Sequence, residues 1–138
     1  MTRFKVCCIA SVEEAALARA HGAAAIGLVS AMPSGPGVID EDRIRTIAAW
    51  APAGLRTFLL TVRTDATGVV AQVSALRTDT VQFVDAVPTS TYAALRAALP
   101  GVRMVQVIHV RTEASLDEAI AITPHHFSTS KRLLKSTE

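Results

Sequence analysis

Two cysteines stand side by side near the start of the chain, in the run Lys5-Val6-Cys7-Cys8-Ile9. A cysteine acts as a base only as an accessible thiolate, which calls for surroundings that hold its pKa below the free value of about 8.5. Neighbouring Cα atoms lie about 3.8 Å apart across a trans peptide, closer than the roughly 4.4–6.8 Å usual in a disulfide. The pair therefore reads as free thiols in a reducing, cytoplasmic compartment. Side chains alternate along a strand, so Lys5, Cys7 and Ile9 share one face while Val6 and Cys8 share the other. A lysine on the same face would favour a thiolate at Cys7. The alternative is that both cysteines are small buried hydrophobes, and residue types alone leave the two readings open.

Other polar groups fall at strand positions. Gln82 and Gln106 each interrupt an apolar run, where they either line a pocket or hydrogen-bond within the fold. Asp85 follows the Val81-Gln82-Phe83 run and suits a turn. The histidines, His21, His109, His125 and His126, show no metal-ligand spacing with cysteines or carboxylates, so no metal is expected.

The elements that must position these groups follow a regular punctuation. Apolar runs at 4–9, 24–29, 56–62, 80–84 and 103–110 predict five strands, each followed by a helical pattern. Ser11 and Glu14 form a capping box ahead of an Ala-rich helix that Gly22 stops. Asp40 caps a second helix, ended by Pro52 and Gly54. Thr64 or Asp65 begins the third, Thr89 or Ser90 the fourth, which ends at Pro100-Gly101, and the fifth spans about Thr112 to Ile122. Domain organisation is read as one unit over residues 1–124 and a polar, basic, disordered tail over 125–138.

With 138 residues, half of them hydrophobic, the chain is long enough for one cored domain. Its formal charge of +2 comes from the tail, where Lys131, Arg132 and Lys135 face only Glu138. A neutral body argues against a nucleic-acid partner, which wants a broad cationic face. No apolar run nears the roughly 18 residues of a membrane span, and the N-terminus has no signal-peptide pattern.

Strands alternating with helices call for a parallel sheet, because parallel neighbours need a crossover. Two architectures fit: a doubly wound open sheet, or part of a β/α barrel, which typically needs about 250 residues. Length favours the first. The residues favour the second, because the opening motif resembles that of phosphoribosylanthranilate isomerases, K-[IV]-C-G-I-T. The resemblance continues through Ser11-Val-Glu-Glu14, through Gly22-Ala-Ala-Ala-Ile-Gly-Leu-Val29 (the family's G-A-D-A-[ILV]-G-F-V) and into Val81-Gln82-Phe83 (V-Q-L-H-G). It covers residues 4 to 122 in order.

The resemblance implies an incomplete (β/α)8 barrel, truncated after about five of its eight units. It implies an Amadori aldose-ketose isomerisation in tryptophan biosynthesis, with a phosphosugar-type small molecule as ligand and no metal or organic cofactor. Cys7 maps to the family's general base. The family's acid, an aspartate ending the sixth strand, and its phosphate-gripping loops have no counterpart here. Lys5, Gln82 and Gln106 are the substrate-binding candidates, and Leu28, Leu60 and Ile108 the expected inward-facing apolar residues. The sequence departs from the family at Cys8 (Gly), Ala10 (Thr) and Val84-Asp85 (His-Gly), and its loop Met32-Pro-Ser-Gly-Pro-Gly-Val-Ile39 has no arginine to meet the anthranilate carboxylate. The chain is expected to be inactive alone. Alternatives are a non-catalytic fragment that self-associates through open sheet edges or pairs with a partner, and an isomerase-like protein for another phosphosugar.

Overall fold

The computed structural model describes residues 2–126. Five strands, β1 (Lys5–Val6), β2 (Ala25–Val29), β3 (Arg56–Thr61), β4 (Thr80–Phe83) and β5 (Arg103–Gln106), alternate with five helices. The helices are α1 (Val12–Ala20), α2 (Glu41–Trp50), α3 (Ala66–Leu76), α4 (Thr89–Ala98) and α5 (Glu113–His126). All strand pairs are parallel and the sheet order is β1-β2-β3-β4-β5. A doubly wound sheet reverses its strand order about a switch point. This one never does, so the sequential winding is that of a β/α barrel with five strands described.

The register sorts the strand residues into two faces. Val6, Ile26, Leu28, Leu59, Val81 and Phe83 fall on one, and most are fully buried. They pack with Ile44, Ile47, Val69, Val73, Leu76, Tyr92 and Leu95 of the helices in a single core. Burying that face of the sheet against amphipathic helix faces supplies the main stabilisation. The opposite face carries Lys5, Ala25, Gly27, Val29, Phe58, Leu60, Thr80, Gln82 and Val105. Leu60 lies there as expected. Leu28 does not, because the register places it against the helices, and Ile108 lies beyond the end of β5.

The helix starts are set where the capping residues predict. Ser11 Oγ accepts from Glu14 N, while Glu14 Oε2 reaches back to Ala10 N. Asp40 and Asp65 accept from Arg43 N and Gly68 N in the same way. The fourth helix differs, since Pro88 precedes it with no side-chain cap and the turn closes through Thr91 N to Pro88 O. The fifth helix runs to His126, past Pro124, where Ile122 was expected to end it. One proline removes one backbone donor, and Thr123 Oγ1 donates to Ala119 O in the turn just before it. The expected tail from 125 thus begins in helix, and its residues from 127 onward lie outside those described.

Candidate active site

In β/α barrels the chemistry sits at the C-terminal ends of the strands. Cys7 lies one residue beyond β1, at that end, and both cysteines are free. Its Sγ lies over Gly27: a Cβ built on that glycine would come within 2.8 Å of the sulfur. Because Ile26 and Leu28 face the helices, Gly27 faces the other way, and so the thiol is on the side turned away from the helices. It is exposed there.

One layer below, Lys5 pairs in register with Ala25. Its Nζ donates to Gln82 Oε1 at 2.7 Å and stands 4.5 Å from the centroid of the Phe58 ring. An amide oxygen and an aromatic face both favour an ammonium, so the cation is held on the thiol's side of the sheet. Lys5, Cys7 and Gln82 therefore share one face, as alternation implies for the first two.

Gln106 is not among them. Its register partner is Phe83, on the helix side, where Tyr92 Oη donates to its Oε1 at 2.6 Å and its Nε2 donates to Asp85 O and Val107 O. Those partners satisfy the amide within the fold, so Gln106 is structural rather than pocket lining. Burial, and secondarily the charge of Glu118, push the Tyr92 phenol up to about 12.

Cys8 departs from simple alternation. Its φ is 59°, in the left-handed region where a side chain is disfavoured. The bend turns it onto the loop after β2, not toward the helices. Sγ donates to Pro36 O at 3.6 Å, and a Cβ at Gly37 would meet Cys8 Cβ at 2.5 Å. Gly37 itself has a φ of 80°. Gly37 thus makes room for Cys8, and Val38 returns to bridge Val29.

Two features had no clear signal in the sequence. Phe58 under Lys5 depends on a register that only the folded sheet fixes. The second is a polar chain behind the strand ends: Thr61 Oγ1 donates to Gln72 Oε1, Gln72 Nε2 donates to Glu41 Oε1, and Arg63 approaches Glu41 at 4.0 Å. Gln72 within an apolar helix was the one visible hint. A cavity of about 340 Å³ containing Arg56, Arg77 and Asp79 lies at the N-terminal ends of β3 and β4, the opposite end from Cys7. Among the described residues no three His, Cys, Asp or Glu gather as a metal site, and no helix is long and apolar enough to cross a membrane.

No protein-family profile matches the chain. It is similar to the N-(5'-phosphoribosyl)anthranilate isomerase of Methanocella arvoryzae, 28% identical over 119 residues, which is 86% of this chain and 56% of that protein. The chain thus spans a little over half the length of the curated relative it matches. Among solved structures it is similar to the Pyrococcus furiosus N-(5'-phosphoribosyl)anthranilate isomerase, with a TM-score of 0.76, 20% identity, and coverage of 88% of this chain and 60% of that one. A phosphoribosyl anthranilate isomerase bound to reduced 1-(o-carboxyphenylamino)-1-deoxyribulose 5-phosphate gives a TM-score of 0.74, 21% identity, and coverage of 88% and 60%. The chain resembles phosphoribosylanthranilate isomerases in sequence and adopts the corresponding part of their β/α fold.

Proposed function

We propose that this chain carries the base-bearing side of a phosphoribosylanthranilate isomerase-type site, with Cys7 as general base and Lys5 and Gln82 lining the same face. The observation behind this reading is the exposed Cys7 thiol at the C-terminal end of β1, on the side of the sheet away from the helices. In the Amadori reaction a general acid protonates the ribose ring oxygen as the ring opens. The base then takes the C2′ proton, and the released electron pair forms the C1′=C2′ bond of an enolamine, which tautomerises to the ketose. Both groups must be placed around one substrate. The strand residues of the thiol's face include no Asp or Glu. The 138-residue polypeptide is therefore expected to bind without turning over.

Purified chain mixed with N-(5'-phosphoribosyl)anthranilate tests this through the loss of substrate fluorescence. The expected result is no turnover above the uncatalysed rate, together with a rise in Tm in the presence of the reduced deoxyribulose phosphate analogue. Turnover abolished by Cys7→Ala would overturn the inactivity of the lone chain, and an unchanged Tm at saturating analogue would overturn the ligand assignment. A second reading, a different phosphosugar, is favoured by the loop 30–39, which has no basic residue to meet an aromatic carboxylate. A larger Tm rise with a phosphosugar lacking the anthranilate ring would support it, and no rise would dismiss it.

A further inference from the structure

Gly27 sits in the middle of β2, where all five residues are buried and its neighbours Ile26 and Leu28 are fully enclosed. A glycine weakens a strand interior, so it calls for a reason. Backbone conformation is not that reason, because Gly27 is absent from the glycines of positive φ. Space is. A Cβ at Gly27 would stand 2.8 Å from Cys7 Sγ, 3.2 Å from Cys7 Cα and 3.4 Å from Cys7 Cβ. The backbone here is already tied, since Ile9 N donates to Gly27 O at 3.1 Å. The strand cannot move aside without giving up that bond. The thiol would have to turn out of its position instead.

We propose that Gly27 is the positioning residue for the Cys7 thiol, its missing side chain being the space in which the sulfur is presented to the open face. This deepens the assignment of Cys7 as base, but it is tested by thiol chemistry rather than turnover, so the two can fail separately. The neighbouring thiol provides an internal reference, because Cys8 packs on a different glycine, Gly37.

The test is site-resolved alkylation of the full chain by iodoacetamide across a pH series, read by mass spectrometry of the Cys7-Cys8 peptide. In Gly27→Ala the rate at Cys7 is expected to fall about tenfold, the scale of an overpacked contact, while Cys8 keeps its rate. Equal Cys7 rates in the wild type and a folded Gly27→Ala variant at every pH would overturn the proposal. Thermal unfolding of a cycle with Cys7→Ala guards against simple misfolding. Removing the sulfur relieves the closest contact, so Gly27→Ala should lower Tm much less in the Cys7→Ala background. An equal loss in both backgrounds, or failure of both Gly27→Ala variants to fold, would also overturn it.

Discussion

At the scale of single residues, two adjacent cysteines with the same chemistry have separate tasks. Cys7 extends the alternation of β1 and presents its sulfur on the same face as Lys5, whereas Ile9, expected there too, is buried in the core past the bend at Cys8. Cys8 leaves the strand through a left-handed φ of 59° and fills the space above Gly37. A side chain in that conformation costs roughly 1–2 kcal/mol. Replacing it by glycine relieves this strain but adds unfolded-chain entropy of about 0.5–1 kcal/mol. Cys8→Gly is thus expected to change stability by less than about 1 kcal/mol, while Cys8→Val, β-branched and larger, should cost about 2 kcal/mol. Urea unfolding measures both, and a Cys8→Gly loss well above 1 kcal/mol would mean that the contact with Gly37 outweighs the strain. The common face of Lys5 and Cys7 was legible from alternation alone. The opposite placement of Gln82 and Gln106 was not, because both interrupt apolar runs and only the partner strands decide which way each points.

At the scale of elements, local chemistry was the more readable part. Ser11, Asp40 and Asp65 each end in a hydrogen bond to the first helical turn, which their positions ahead of helical patterns imply. Strand lengths were less readable. The first was expected over six residues and keeps two, since the positive φ at Cys8 breaks a ladder that no apolar pattern can reveal. Between α4 and β5, the buried Tyr92 (1% exposed) donates to Gln106 Oε1 and packs edge-on against Phe83 at 5.7 Å. Its phenol titrates near 12 when folded against an ordinary value of 10.0, chiefly through burial. Below pH 10 both states hold the proton and the contribution is intact. Between about pH 10 and 12 the unfolded chain ionises while the folded one does not, so the unfolded state binds fewer protons and stability falls with rising pH. The loss across that window is of order 2 kcal/mol. Because this is the chain's single tyrosine, phenolate absorbance follows it directly. Tyr92→Phe should flatten that part of the stability profile and cost about 1 kcal/mol at neutral pH by removing the Gln106 bond. Phenolate appearing at pH 10 in the folded chain would contradict the burial.

At the scale of the whole molecule, length and motif pointed in different directions. A chain of 138 residues is shorter than a barrel needs, which favours an open sheet with a switch in strand order. The strands instead follow one another without a switch. Periodicity could show strands alternating with helices, and parallel pairing followed from the crossovers, but winding order leaves no local mark on the residues. The spaced motifs, matched in sequence by the Methanocella arvoryzae relative and in fold by the solved isomerases, carried that information. One consequence is a split surface: a helix side closed by a continuous apolar core, and a face that bears the thiol, an anchored lysine and an amide. The central requirement of such a site is that ligand reaches that face at Cys7. Its most direct measurement is the rate of Cys7 alkylation with and without reduced 1-(o-carboxyphenylamino)-1-deoxyribulose 5-phosphate, resolved from Cys8 by mass spectrometry. Protection of Cys7 alone, rising to saturation with the analogue, is the predicted result; unchanged labelling of Cys7 at every concentration would contradict it.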